Sequence, residues 1–461
     1  MKKSIIRSTW LAKGGYRLDC SPYLGGALEA QVLLEELAVR KDPLGDVTSA
    51  ILNIGRIKRQ WVESPELGTP FLAGSSIQQA DLSNLSLISN KAVRENPWLL
   101  VKRGTTLITR SGSIGKMAYV REEMEGLTCT EDVLRVVPNT AKIPSGYLYA
   151  YLSSKFGIPL IASGTYGAII QHLEPEHISG LPVPRFGAAL EKKIHDLIEE
   201  AGSLRSDASS LFETSLDEYH NATGLKKSLG TLSSHPSQWI TVSCDKLSGR
   251  LDTNFHRAYH VEALHPFAAG ITPQRTIRSL AQSIIEPARF KRIEISDPSS
   301  VGLFGTGSLA DVDPKPMYRI AGGKWVDSYR VDEQTLLIPR SGQIYGIIGR
   351  CYQPIGEVLH SAVTEDAIRI NCIDQETAGY LYLALSSPFG LRQLKARCFG
   401  GSIPTLDVAN VASVLIPALG PKERKHLGSE AYRVATMRTE ALEKESKARE
   451  LLVRAIESNA S

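Results

Sequence analysis

Hydrophobic and polar positions first alternate in short blocks, then switch to a helical period, and the whole order recurs. Short apolar runs such as Trp98-Leu99-Leu100-Val101 and Thr106-Leu107-Ile108-Thr109 lie between clusters of Gly, Ser, Asn and Pro. That is the pattern of brief strands separated by turns. Tyr147-Leu148-Tyr149-Ala150-Tyr151-Leu152 then opens a short helix after Pro144-Ser145-Gly146, with Ser145 as its expected cap. A proline-punctuated strand closes the block, Leu181-Pro182-Val183-Pro184 in one place and Leu415-Ile416-Pro417 in another.

From Ala188 to Asn221 there is no proline, and apolar residues fall at Ile194, Leu197, Ile198, Ala201, Leu204, Ala208, Leu211, Phe212 and Leu216. Pro421 to Asn459 repeats the pattern with Leu427, Ala431, Val434, Ala435, Leu442, Leu451, Leu452, Ala455 and Ile456. Both spacings are helical and close to a heptad seam. Each helix would be roughly 50 Å long at 1.5 Å per residue. Helices this long need more apolar surface than the end of a small domain offers, so they are expected to pair antiparallel as a coiled-coil spacer. The alternative is that each packs on its own domain.

The chain says the same thing twice. TTLITRSGSIG from Thr105 returns as TLLIPRSGQIYG from Thr335, CTEDVLRVV from Cys129 as VTEDAIRIN from Val363, and GYLYAYLSSKFG from Gly146 as GYLYLALSSPFG from Gly379. Arg17-Leu18-Asp19 returns as Arg250-Leu251-Asp252. Leu18 and Leu251, Tyr147 and Tyr380, and Ile178 and Val411 are each 233 positions apart. A period this long means two domains rather than a solenoid. The expected architecture is α/β and pseudo-twofold. Residues 1–186 and 232–419 form the two domains, 187–231 the central helix with its linker, and 420–461 the C-terminal helix.

Composition narrows the class only a little. The 461 residues are 42% hydrophobic and 22% charged, a globular balance. Lys+Arg at 53 against Asp+Glu at 49 leaves a net charge of +4, which permits local basic patches without announcing them. The cysteines form no C-x-x-C pair, which argues against structural zinc. Low cysteine density, no apolar run behind Lys2 and Lys3, and no membrane-length apolar stretch together predict a cytoplasmic protein.

The turn Arg110-Ser111-Gly112-Ser113-Ile114-Gly115 and its twin at Arg340-Ser341-Gly342-Gln343-Ile344 carry a resemblance. So do the helix at 148–154, the loop Ser163-Gly164-Thr165-Tyr166-Gly167 before Gln171-His172-Leu173, and LPVP at 181–184. In that order, twice, they resemble the specificity (S) subunit of type I restriction–modification systems over nearly the whole chain. The resemblance implies two target-recognition domains, each reading half of a bipartite sequence in double-stranded DNA. It implies helices that space the halves. It also implies a partner adenine-specific DNA methyltransferase carrying S-adenosylmethionine, with no cofactor on this chain, and a restriction or other defence subunit as a further partner. Two departures stand out. The second copy has extra character at Pro287-Ala288-Arg289-Phe290-Lys291-Arg292 and Asp311-Val312-Asp313-Pro314-Lys315-Pro316. The RLD elements resemble S-like proteins of other methyltransferase-based phage-defence systems.

DNA reading needs cations for phosphates and forked or amide side chains for base edges. Arg110, Ser111 and Lys116 in the first turn, and Arg340, Ser341 and Gln343 in the second, are candidates. The competing reading is a structural turn whose arginine pairs with a carboxylate. The glycine-rich loops add Thr165, Tyr166 and Gln171, and Arg397, Phe399 and Ser402, or are ordinary loops. The basic runs Arg56, Lys58, Arg59 and Lys291, Arg292 suit phosphates equally well as solvated surface. Residues that read bases should differ between copies, so shared ones fit phosphate or scaffold roles better.

Glu131-Asp132 and Glu365-Asp366 recur as adjacent carboxylates. No histidine or further carboxylate recurs beside them, and neighbours on a strand face opposite ways, so a structural role is expected. Phe304-Gly305-Thr306-Gly307 looks like a methyl-donor turn, but its partner Phe71-Leu72-Ala73-Gly74 lacks the pattern. No phosphate loop and no Asn-Pro-Pro-Tyr-type motif is present. The expectation is a non-catalytic, metal-free recognition subunit. Its rivals are a duplicated enzyme built on Glu131 and Glu365, and a scaffold that does not touch DNA.

Overall fold

The computed structural model describes residues 6, 8–13, 23, 25–163, 172–232, 241–244, 247, 250–295, 297 and 299–459. The fold is mixed α/β, with a 35-residue helix at Ala188–Ala222 and a 38-residue helix at Pro421–Ser458. The chain divides into two compact units. One comprises Met1–Ser206 with Glu440–Ser461, and the other Asp207–Thr439, so each long helix contributes to both.

The first unit centres on an antiparallel sheet ordered Thr48–Leu52, Val133–Pro138, Thr106–Thr109, Met117–Tyr119. The central strands are almost wholly buried and largely apolar, with Arg135 buried within Val133–Pro138. A second small sheet sets Gly68–Leu72 between Leu87–Ser89 and, in parallel, Thr128–Cys129. The second unit has the same plan. Ala281–Ile285, Ala367–Cys372 and Thr335–Pro339 form its main sheet. Val301–Phe304 lies between Tyr318–Ile320 and, in parallel, Ala362–Val363. Even the irregularity recurs, with register shifts at Thr48/Ala50 and Ala281/Ser283.

The repeated Gly-Tyr-Leu-Tyr motif is explained by packing. Gly146 donates its backbone N–H to His195 Nδ1 of the central helix at 3.1 Å, and a Cβ there would lie 2.9 Å from that nitrogen. Gly379 meets Gly428 of the C-terminal helix, where a Cβ would come within 2.0 Å of the Gly428 carbonyl oxygen. Each motif therefore lets a long helix approach its own unit closely. The next residue is a buried tyrosine that ties the helix to the closing strand. Tyr147 donates to the Pro184 carbonyl at 2.5 Å, and Tyr380 to that of Pro417 at 2.7 Å. Those strands pair antiparallel with Lys41–Pro43 and Gln274–Thr276. Ser145 is the first residue of its helix rather than its cap, because its hydroxyl is engaged with Tyr119 at 2.8 Å.

In the first unit Ile194 and Ile198 share a core with Ala448, Leu452 and Ile456. Beside them Lys444 reaches Glu200 at 2.7 Å, and buried Glu445 pairs with Arg205. Burial pushes the Glu445 carboxyl up, but Arg205, Arg449 and Arg121 outweigh it and hold it down at about 2. In the second unit Tyr219 shares a core with Leu427 and Ala431, and Glu218 stands 3.6 Å from His426. No helix among the described residues is long and apolar enough to cross a membrane.

Candidate nucleic-acid interface

The paired carboxylates organise one set of candidate residues. In the first unit Arg59 Nη2 donates to both Glu131 oxygens at 2.8 Å and to Thr130 Oγ1 at 3.2 Å. Arg56 Nε lies 3.9 Å from the same carboxylate. Burial pushes the Glu131 carboxyl up, but the Arg59 hydrogen bonds outweigh it and hold it below the usual carboxylate range. In the second unit Arg292 Nη2 donates to Glu365 at 2.6 Å, and Arg289 Nε stands 3.4 Å from it. The inner arginine is partly covered in both, with side chains 33% and 28% exposed, and the outer one is open, at 86% and 88%. Each inner arginine also lies over a ring, Arg59 over Phe71 at 5.1 Å and Arg292 over Phe290 at 5.5 Å. Lys58 and Lys291 are exposed.

These two runs are therefore the same element. Arg289-Phe290-Lys291-Arg292 corresponds to Arg56-Ile57-Lys58-Arg59, 233 positions earlier, and follows the same edge strand. The expectation that this stretch is extra to the second copy is corrected. It went unrecognised because the intervening residues differ and the surrounding segment is irregular.

The arginine turns are built from within. The Arg110 backbone exchanges hydrogen bonds with the Asp132 carbonyl and the Leu173 N–H. Its side chain donates to the Leu173 carbonyl at 3.1 Å and pairs with Glu174. Arg340 does the same with Asp366 and Leu406, and its guanidinium pairs with Glu286 at 2.7 Å. Both arginines are largely covered and engaged with carboxylates. Ser111 donates to Asp132 Oδ1 at 3.0 Å, while Lys116 is exposed. Glu131 and Asp132 thus spend their oxygens on Arg59 and Ser111, and among the described residues no group of His, Cys, Asp or Glu is arranged to hold a metal.

Thr165, Tyr166 and Gln171 lie outside the described residues, as does the first RLD element. In the second unit the two candidate loops meet. Gln343 Nε2 approaches the Ser402 carbonyl at 3.5 Å, Gly342 donates to the Pro404 carbonyl at 3.2 Å, and Ser341 bridges to Thr405. Tyr345 (86% exposed), Phe399 and Ile403 present apolar surface from these loops. Lys395 anchors them from below by donating to the Ile344 carbonyl at 2.7 Å. Arg397 points inward, donating to Ser413 Oγ at 3.1 Å and to the Gln393 carbonyl, which fits helix closure better than phosphate contact. Sequence reasoning missed Arg250 of the second RLD element, which donates to the Arg397 and Cys398 carbonyls at 3.1 and 3.2 Å. An arginine beside a helix C-terminus is a signal that could have found it.

No family model and no curated protein matches the chain. Along most of its length the chain is similar to solved type I restriction–modification specificity subunits. The S subunit from M. genitalium is 12% identical, aligns over 92% of this chain and 95% of its own, and gives a TM-score of 0.33. The HsdS subunit from Thermoanaerobacter tengcongensis is 12% identical over 91% and 96%, with a TM-score of 0.27. A structure described for complex assembly and conformational transition of the type I R-M system is 10% identical over 91% and 96%, also at 0.27.

Proposed function

We propose that this chain is a non-catalytic DNA-recognition subunit. It binds a bipartite target and directs a partner adenine methyltransferase, which carries S-adenosylmethionine, to that target. A restriction or other defence subunit completes the assembly, and the complex works in the cytoplasm. Residues 1–186 and 232–419 act as the two recognition domains, and the helices of 187–231 and 420–461 as the spacer between half-sites.

One observation carries this reading: the same basic segment, held the same way on the same carboxylate, is present in both units. A bipartite target offers two half-sites on one duplex, and duplicated units suit two contacts of one kind. An antiparallel coiled-coil spacer is supported by the order of partners. Early positions of the central helix (Ile194, Ile198) pack with late ones of the C-terminal helix (Leu452, Ile456), and late ones (Tyr219) with early ones (Leu427, Ala431). The duplicated-enzyme reading loses its main candidates, because Glu131 and Glu365 are each occupied by arginines.

The test is a modified-base map of the host genome with and without the gene. A split adenine-methylation motif should vanish when the gene is deleted, and exchanging one unit for a relative's should change one half of the motif. An unchanged map, with the partner subunits expressed, defeats the proposal.

A further inference from the structure

The two Arg-x-Lys-Arg segments are identical at their three cationic positions, while the residues between and around them have diverged. The inner arginine explains itself. Arg59 and Arg292 tie an irregular segment to a carboxylate and lie over a ring, so folding alone would retain them. Folding does not explain Arg56, Lys58, Arg289 and Lys291. Their side chains face water, and a contact of 3.4–3.9 Å through Nε contributes little stability at such exposure. Each clasp sets three cations against one carboxylate, which leaves a local surplus of positive charge on a fixed segment.

Two units that recognise different half-sites have one surface in common to meet, the sugar-phosphate backbone, which carries no sequence information. Exposed positions that stay the same in both units without a role in folding are the ones that fit contact with it. We infer that Arg56 with Lys58, and Arg289 with Lys291, form two equivalent phosphate clamps. The Glu131–Arg59 and Glu365–Arg292 pairs hold each clamp in place. This inference rests on the DNA-recognition reading and adds a division of labour to it. The clamps set affinity and salt sensitivity, and the divergent loops around Gln343 and Ser402 are left to discriminate sequence.

The experiment measures binding of the full chain to a mixed-sequence duplex by fluorescence anisotropy across a salt series. The variants are Arg56→Ala/Lys58→Ala, Arg289→Ala/Lys291→Ala and the fourfold combination, with Lys422→Ala as an exposed control. A neutralised phosphate contributes a slope of about −0.9 in log K against log salt. Each double variant should therefore flatten the slope by about 2 and the fourfold variant by about 4, with Lys422→Ala unchanged. In cells, the methylated motif should keep its sequence while its occupancy falls. Melting curves matching the wild type check that the fold is intact. If the wild type binds duplex and the variants keep its slope, the clamps are refuted while DNA recognition stands. Loss of partner-subunit capture with unchanged DNA binding would also refute them and assign the patches to an acidic protein surface. If the wild type binds no duplex, the underlying reading itself falls.

Discussion

Arg110 and Arg340 occupy the same turn in the two units and are neutralised from different places. In the first unit Glu174 does three things. It caps the helix Pro175–Ser179, pairs with Arg110, and accepts from Asn53 Nδ2 at 2.7 Å. In the second unit the work is divided. Asp407, at the position of Glu174, caps Val408–Ala412 by accepting from the Asn410 N–H at 2.7 Å. Glu286, at the position of Asn53, takes the arginine. What stayed fixed is the backbone frame, in which each arginine joins the Asp132/Leu173 or Asp366/Leu406 carbonyls and N–H groups. The acid drifted from one element to another, because any carboxylate within reach of a largely covered guanidinium satisfies it. The lesson is that a residue repeated in both units can be a structural constant, and exposure separates such constants from the exposed cations of the clasps.

The largest difference between the units is expected where the long helices touch. Gly379→Ala would place a methyl 2.0 Å from a backbone carbonyl oxygen, and Gly146→Ala would place one 2.9 Å from the His195 carbonyl oxygen, His195 Nδ1 and Ile198 Cβ. Both methyls meet backbone, but the overlap at Gly379 is far deeper, so Gly379→Ala should cost about 3 kcal/mol or more and Gly146→Ala about 1–2 kcal/mol. Urea denaturation of both variants checks the order, and equal costs would mean that the two approaches are equally tight.

Acid should separate the units next. In the second unit burial pushes His260 down to about 3 and His220 down to about 4. Both are neutral in the fold, so their contribution is complete above the ordinary value of 6.5 and drains away as pH falls below it. In the first unit Glu445 is held at about 2, so its contribution is complete above the ordinary 4.5 and is lost only as pH falls from there through about 2. Between 6.5 and 4.5 the second unit should loosen while the first holds. Hydrogen exchange by peptide, pulsed at one common pH after incubation in that window, reads the two separately. Parallel loss of protection in both would break the comparison.

The smallest effect concerns the arginine turns themselves. Glu174→Ala removes a cap and the partner of a largely covered arginine, and should cost about 2 kcal/mol. Glu286→Ala and Asp407→Ala each remove one of those roles and should cost about 1 kcal/mol apiece. Chemical denaturation of the three variants tests whether the single cost matches the sum of the divided ones.

The motifs that made the repeat visible in the sequence turn out to serve the fold. Gly146 and Gly379 admit the helices, Tyr147 and Tyr380 bind the closing strands, and Arg110 and Arg340 fix a turn. Buried positions change slowly because close packing and hydrogen-bond satisfaction leave few substitutes. The basic clasps read as separate charge runs in the sequence because a few exposed cations have no periodicity to betray kinship. Arg397 looked available for phosphate because a sequence does not show which way a side chain turns at a helix end.

The sequence by itself determined the duplication, the mixed α/β class, the two long helices and their apolar seams, since these rest on hydrophobic period and on repeated residue identity. Tertiary structure decided that Glu131 and Glu365 are arginine holders, that Arg397 serves a helix end, and that Arg56 matches Arg289. The first two rest on contacts between residues apart in the chain, as when Arg59 meets Glu131 at a separation of 72 and Arg397 meets Ser413 at 16, and the third on the carboxylates those segments reach. Local pattern carries no record of contacts at that range.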